Sequence, residues 1–279
     1  MSETTKYAVL GSRAMLRLSG PDARQWLQGL VTNDVESLGS GQARFAALLS
    51  PQGKILFDFF VTPDADGLLI DCPAKDAAAL LRRLGMYKLR AQVAVSDVSA
   101  SLSVAAVWGG EPPPVAQARI FPDPRDARLG WRAIGPASNL EALGEPANEG
   151  EWRAHRIACG VPEGGVDYAF GETFPHEANM DRLNGVDFRK GCYVGQEVVS
   201  RVQHRGLARK RITKVRIDGT PPDGGGDIVA GESIVGSLVA SAGMDGLAML
   251  RLDKAAEAKE GGHALRCGDA VVTVVYGDA

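Results

Sequence analysis

The 279-residue sequence has no run of 18 apolar residues, so it offers no helix long enough to cross a bilayer. Its start, MSETTKYAVL, has neither a basic region nor an apolar stretch and does not read as a secretory signal. Cysteine is sparse. The four, at 72, 159, 192 and 267, form no CxxC pair, and the four histidines add no metal-ligand spacing. Free thiols in a reducing cytoplasm are the simplest reading, and no metal site is expected. Neither sign of charge dominates: 31 Lys and Arg against 34 Asp and Glu leave a formal charge of −3. That argues against a whole-surface role on nucleic acid or membrane. No internal repeat is present.

Glycine, by contrast, is abundant. Its 34 residues are about 12% of the chain against a usual ~7%, which argues for many turns and a large β content. Residues 7–18 read as strand. Pro21 then opens a helix whose buried face is Ala23, Trp26, Leu27, Leu30 and Val31. Runs 44–49 and 54–61, joined by Ser50-Pro51-Gln52-Gly53, read as a hairpin. A strand at 68–72, a helix at about 74–86 and strands at 90–98 and 102–108 follow. Pro112-Pro113-Pro114 marks a linker. Beyond it come a strand near 128–134, a helix-like stretch near 138–143 and a helix at 151–158 stopped by Gly160 and Pro162. Residues 161–175 read as an irregular loop, with helical turns near 176–184 and 195–205. After Gly206 helical periodicity is lost. Runs at 208–217, 232–240, 246–252, 263–267 and 270–276 predict a small antiparallel barrel of five strands with no strong helix. The predicted class is α+β, with antiparallel sheets in the first two thirds and an all-β end.

The chemistry concentrates in Phe188-Arg189-Lys190-Gly191-Cys192-Tyr193-Val194-Gly195-Gln196-Glu197. Cys192 follows two cations and precedes a helix start, and both settings favour thiolate over thiol. Gly191 and Gly195 permit close backbone approach to a ligand. Lys190 and Arg189 suit carboxylates, and Tyr193 offers a ring for stacking. The alternative is a small buried cysteine beside a solvated basic turn. Upstream, Glu177 in Phe174-Pro175-His176-Glu177-Ala178-Asn179-Met180-Asp181 is either an acceptor for an aminopyrimidine edge or an acid favoured in a helix's first turn. Downstream, 198–217 contains no acid and seven cations: Arg201, Arg205, Arg209, Lys210, Arg211, Lys214 and Arg216. That stretch suits an anionic ligand, a polyglutamate tail or RNA, or else a solvated hinge. No aromatic interleaves the cations, which weakens the RNA reading.

The run KGCYVGQEVVSR, with PHEANMDRLNGVDF before it, resembles the YgfZ-type family of folate-binding proteins, in the superfamily of the glycine-cleavage T-protein. GPDARQWLQGLVTNDV at 20–35, LLSPQGKILFDF at 48–59 and GLAMLRLD at 246–253 extend the resemblance over most of the chain. It implies intertwined antiparallel-sheet and helix domains of the T-protein type plus a C-terminal β-barrel. The units would be 1–110, 111–206 (with the KGCYVGQE motif) and 207–279, around a channel for tetrahydrofolate. It also implies an accessory role in iron–sulfur cluster assembly or repair, reaching Fe–S enzymes that modify tRNA. Cys192 and Lys190 become the candidate reactive residues. Glu177, Asn179, Arg189, Tyr193, Gln196 and Arg201 become the candidate folate-binding set. The expected partners are a folate, iron–sulfur assembly proteins and their client enzymes. A cytoplasmic monomer without membrane or direct nucleic-acid contact completes the expectation. Two departures speak against aminomethyl transfer. The transferase's pterin-binding glutamate falls at Ala158 in Arg156-Ile157-Ala158-Cys159-Gly160, and its paired hairpin aspartates are here Phe57-Asp58. A folate-dependent one-carbon transferase and an RNA-binding module remain as alternatives.

Overall fold

The computed structural model describes residues 4–206 and 208–275. Strand β1 (Lys6–Val9) leads to β2 (Arg13–Ser19) and a short helix α1 (Ala23–Gln28). Gly29 closes α1, so Leu30 and Val31 of the predicted helical face are buried beyond its end rather than on it. Next come β3 (Arg44–Leu49), β4 (Ile55–Asp64), β5 (Gly67–Pro73), α2 (Ala77–Tyr87), β6 (Ala94–Asp97) and β7 (Ser103–Trp108). The middle third holds β8 (Arg119–Pro122), β9 (Trp131–Gly135), α3 (Ala137–Leu140), β10 (Glu145–Pro146), α4 (Glu149–Ala158) and α5 (Gln196–Arg205). The final stretch holds β11 (Lys210–Asp218), β12 (Gly226–Ala230), β13 (Ser233–Ala242), β14 (Asp245–Arg251), α6 (Leu252–Glu260), β15 (Leu265–Cys267) and β16 (Ala270–Val274).

These strands make two five-stranded sheets and one closed barrel. The first sheet runs β3-β4-β5-β2-β6 and the second β10-β1-β7-β9-β8. The second therefore takes two of its strands, β1 and the central β7, from the first 108 residues: Lys6 lies opposite Trp108 across an antiparallel pair and beside Glu145 across a parallel one. That exchange of strands interlaces the two halves of an α+β fold. The barrel closes in the order β11-β14-β13-β12-β15-β16.

Burial follows this architecture. One face of the first sheet packs Leu16, Leu18, Phe59, Val61 and Ile70 against α1 and α2. Another cluster joins Met15 and Leu69 of that sheet to Ala8, Val104, Ala106 and Phe121 of the second and to Trp152 of α4. A third carries Phe45, Leu49, Ile55 and Phe60 onto Tyr193, Val199, Ile212 and Leu247, tying the motif and the barrel to the first hairpin.

The barrel differs from expectation in two respects. Among the described residues it has six strands, because Gly226–Ala230 pairs with both β13 and β15. It also carries the helix α6, where no strong helix was predicted. Leu-Asp-Lys-Ala-Ala-Glu-Ala-Lys-Glu is rich in good helix formers, but only Ala255 and Ala258 of its face are buried, so it lacks the wide apolar stripe that periodicity detects. The strand read to residue 276 ends at Val274, and residue 276 itself lies outside the described residues.

Candidate functional site

The motif is built around two glycines and a lysine. Gly195, at φ +82°, caps α5, and a Cβ there would stand 2.6 Å from the Ser50 carbonyl oxygen and 3.2 Å from Gly53 Cα. Gly53, at φ +79°, would bring its own Cβ to 2.9 Å from Val198. The two glycines thus let the start of α5 rest on the β3–β4 turn. Gly191, by contrast, faces open space. Lys190 reaches under α1, where its Nζ donates to the carbonyl oxygens of Gln28 (2.8 Å), Val31 (2.7 Å) and Asn33 (2.8 Å). Burial lowers its pKa to about 8. All three ammonium protons serve backbone acceptors at and just beyond the end of a helix, where carbonyls otherwise lack partners. Lys190 therefore anchors the loop instead of standing free for a substrate. Lys190→Ala is expected to lower unfolding free energy by about 2 kcal/mol or more, since it orphans carbonyls. Arg189→Ala, at an almost fully exposed side chain, should stay within about 0.5 kcal/mol. Urea titration of both variants checks the contrast.

Two residues beyond Lys190, Cys192 is exposed, whereas Cys72, Cys159 and Cys267 are buried. Burial pushes the Cys72 thiol up to about 12 and raises those of Cys159 and Cys267. Tyr193 turns inward. It is buried in the shared cluster, with its hydroxyl pushed up to about 12 by burial, and its ring is not open for stacking. Gln196 starts α5, its N–H donating to the Tyr193 carbonyl at 3.3 Å. Arg201 pairs with Glu197 one turn away at 2.7 Å on the exposed face of that helix. The Glu177 carboxylate accepts from the Phe174 N–H at 2.8 Å, closing its own turn. Asn179, at φ +58°, donates to the Ile212 carbonyl at 2.6 Å and so stitches the loop to β11. Of the basic run, Arg211 is held by Asp181 at 2.7 Å, and Lys214 and Arg216 share Asp245 at 3.3 and 2.9 Å. The structure thus holds Lys190, Cys192 and Tyr193 in the loop that leads to Gln196 at the start of α5 and sets Glu177 and Asn179 apart against β11.

A larger constellation lies between the two sheets, and the sequence reading missed it. Arg125, Asp123, Arg132, Asp71, Arg13, Glu163, Arg156 and Asp167 form one chain of alternating charge. Its measured links are Arg125–Asp123 2.7 Å, Asp123–Arg132 3.7 Å, Asp71–Arg13 2.6 Å, Arg13–Glu163 3.4 Å, Glu163–Arg156 3.2 Å and Arg156–Asp167 2.6 Å. Arg132 and Asp71 are also bonded. All members but Glu163 are buried. Arg13, Arg125 and Arg132 surround the Phe60 ring at 5.6, 4.8 and 4.1 Å from its centroid. Burial opposes ionisation of Asp71, but Arg13 and Arg132 outweigh it and hold the carboxyl below its ordinary range. Four guanidinium groups and four carboxylates balance. Asp58 of β4 is a fifth carboxylate beside them, buried and without a guanidinium of its own. It accepts from the Tyr168 hydroxyl, and burial raises its pKa to about 6. The available signal was a lone charge inside an apolar strand: Asp58 in LFDFFV and Asp71 in LLIDCP.

Two open clefts stand apart from that network. One, of about 790 Å³, lies between residues 33–44 of the first half and 122–124 and 184–189 of the second, and Arg44, Phe188 and Arg189 line it. The other, of about 710 Å³, is lined by Trp108, Trp131 and His155. Neither is lined by Cys192, Glu177, Tyr193, Gln196 or Arg201.

Comparison with known proteins gives the context. The family described as "GCVT N-terminal domain" matches residues 11–131, and "CAF17, C-terminal beta-barrel domain" matches 209–277. The "Iron-sulfur cluster assembly factor IBA57, mitochondrial" of Mus musculus is 36% identical over 276 residues, covering 87% of this chain and 76% of that protein. The chain belongs to the IBA57 family. The Homo sapiens IBA57 is 34% identical over 277 residues, with 88% and 77% covered. The IBA57 homolog of Mycosarcoma maydis is 35% identical over 241 residues, covering 79% of this chain, which spans only 60% of that relative's length. Among solved structures, the glycine cleavage system aminomethyltransferase T from Bartonella henselae superposes with a TM-score of 0.77, covering 99% of this chain and 86% of that one. At 16% identity that likeness shows the fold alone. The expected cytoplasmic location does not stand. The IBA57 relatives are named mitochondrial, which points to the mitochondrion rather than the cytoplasm.

Proposed function

We propose that this chain is an iron–sulfur cluster assembly factor that meets its protein partners through Cys192. Family membership across 87% of the chain carries the reading. The exposure of Cys192, against three buried thiols, supports the choice of residue. A thiolate is the ligand type iron–sulfur clusters take, and the cluster is here a substrate carried between proteins. Lys190 serves the same end by fixing the loop two residues upstream. The partners are iron–sulfur assembly proteins and client enzymes, including those that modify tRNA in the YgfZ-type reading, and the chain acts as a monomer. The working units are 1–110, 111–206 and 207–279, with β1 and β7 of the first lent to the sheet of the second. Aminomethyl transfer is not part of the reading: at Ala158 the backbone carbonyl accepts from Lys214, and no carboxylate stands there.

The test is chemical and cellular. Alkylation across pH 6–9, read site by site by mass spectrometry, should label Cys192 well ahead of Cys72, Cys159 and Cys267. In cells lacking the native chain, Cys192→Ser should fail to support client Fe–S enzymes, while Cys159→Ser should support them. Equal labelling, or full support by Cys192→Ser, would remove the thiol from the reading.

Tetrahydrofolate enters through the family resemblance. The side chains expected to hold it do not line one cavity, and Arg189 alone borders the larger cleft. Volume favours that cleft, since small-molecule sites occupy roughly 300–1,000 Å³. So do its side chains. Arg44 has no carboxylate partner among the described residues and, with Arg189, suits the folate's glutamate tail, while Phe188 suits its ring. Calorimetry should show tetrahydrofolate bound by the wild type, with at least roughly tenfold loss in Arg44→Ala if the contact is a charge-assisted bond. Unchanged affinity in that variant would remove this cleft as the folate site.

A further inference from the structure

The surface at the end of α2 is unlike the rest. The sequence has no acid between Asp76 and Asp97. Within that stretch Arg82, Arg83, Lys88 and Arg90 are exposed or half-buried, and none has a carboxylate partner among the described residues. Between them stand Met86, 69% exposed, and Leu89, 91% exposed, the two most exposed large apolar side chains of those described. At 91% exposure Leu89 touches almost nothing of its own chain, so it is a protrusion and not the wall of a groove. Its φ is +42°, a left-handed conformation that a leucine seldom adopts.

This tip is held in place. The Trp26 indole donates to the Tyr87 carbonyl at 3.1 Å, the Ala91 N–H to the Lys88 carbonyl at 2.8 Å, and the Gln92 N–H to the Asp22 carboxylate at 2.7 Å. Trp26 and Asp22 belong to α1 and the residue before it. The other end of α1 receives Lys190, which fixes the Cys192 loop. One six-residue helix, roughly 9 Å long at 1.5 Å per residue, therefore stands between the tip and the loop of the exposed thiol.

We infer that residues 82–90 are a docking surface for a partner protein presenting an apolar pocket rimmed by Asp and Glu, and that the docked partner also covers Cys192. The inference rests on the reading of Cys192 given above. A collar of four cations around two apolar side chains is complementary to such a pocket, and steering by opposite charge would speed the encounter. Other anionic surfaces fit less well. A bilayer would gain only one methionine and one leucine of apolar contact, where even a whole myristoyl chain binds marginally. Within residues 82–90 RNA would find one ring on which to stack a base, the half-buried Tyr87.

The test uses the full chain and a synthetic helical peptide of about twenty residues, leucine on one face and glutamate elsewhere. The peptide should bind the wild type and slow alkylation of Cys192. Leu89→Gly with Met86→Ser should weaken it at least tenfold, as should Lys88→Glu with Arg90→Glu. The latter should also flatten the salt dependence. Glycine accepts the left-handed backbone and all four positions are exposed, so melting should not change. Equal affinity across the three proteins overturns the proposal, as does tighter binding to phosphatidylglycerol vesicles or to single-stranded RNA. Self-association abolished by the same substitutions would also overturn it, by assigning the tip to a second copy. Binding that leaves Cys192 alkylation unchanged overturns the shared coverage. Client enzyme activity in cells separates the two readings. Loss with the docking variants but not with Cys192→Ser would sink the thiol and keep the dock, and the reverse pattern would sink the dock.

Discussion

Asp71→Ala is expected to lower the free energy of unfolding by about 3–5 kcal/mol. Asp71 is bonded to both Arg13 and Arg132, and all three side chains are buried. Removing the carboxylate leaves two guanidinium groups in a dry interface with nothing to offset their lost hydration. The chain of alternating charge is cut at its middle, so the two sheets lose their central tie. Against a typical stability of about 5–15 kcal/mol the loss is large. A control fixes the interpretation. Asp64 also pairs with two arginines, Arg17 at 2.7 Å and Arg119 at 2.5 Å, but both are half-exposed. Water screens and replaces such contacts, so Asp64→Ala should cost about 1 kcal/mol or less. Urea denaturation of both variants decides the matter. Similar losses would mean that burial is not what makes the Asp71 cluster matter.

The second large effect is a gain that depends on pH. Asp58 is the ninth charge in a cluster whose other eight cancel. With no guanidinium left for it, the buried carboxyl keeps its proton up to about pH 6, against an ordinary value of 3.8. Between these values the folded carboxyl is protonated while the unfolded one has released its proton. The folded state binds the extra proton, so this group's contribution to stability falls as pH rises through that window. Two pKa units correspond to about 3 kcal/mol. Asp58→Asn carries no charge and can still accept the Tyr168 hydroxyl through its amide oxygen. Its advantage over the wild type should be near zero at pH 4 and grow to about 3 kcal/mol by pH 7. Paired denaturation curves at pH 4, 5, 6 and 7 give the profile. A difference that stays flat with pH would show that Asp58 does not hold its proton in the folded state.

What was legible in the sequence was local. The β3–β4 hairpin announced itself through Pro51 and Gly53, and α2 through its apolar spacing. α4 was expected from 151 but starts at Glu149, because Asn148 accepts from the Glu151 N–H at 3.0 Å while the Glu151 carboxylate accepts from the Asn148 N–H, a reciprocal cap that the apolar spacing does not report. α5 begins one residue from where it was predicted. The missed elements were short or lacked an apolar face, as with β8, β12 and α6. The missed links that tie the sheets together were non-local. Arg13 and Asp71 are 58 residues apart, Arg132 and Asp71 61, and Arg13 and Glu163 150. No spacing rule pairs charges at such separations. Lys190 was misjudged for a related reason. Its partners are backbone carbonyls more than 150 residues away, and a backbone acceptor leaves no trace in residue type. Cys192 stood out through the two cations before it and the glycines around it, and Tyr193 was misread because residue type does not tell which ring of a run turns inward.

The exchange of β1 into the second sheet sets an order of events during synthesis. Lys6 to Val9 leave the ribosome well before their partners, since Ala105 to Trp108 and Glu145 to Pro146 come about 100 and 140 residues later. At roughly 5–20 residues per second, the first strand waits some 5–20 s for β7 and longer for β10. Until then its unpaired backbone is a template for pairing with other chains. The first sheet needs nothing beyond residue 97 and can form in the interval. The second sheet is therefore the late and vulnerable step, and the alternating charge chain, which needs both sheets and the loop at 163–167, closes after it. Chains truncated just before residue 103 would hold every strand of the first sheet and an unpaired β1, the species in which aggregation of this protein would begin.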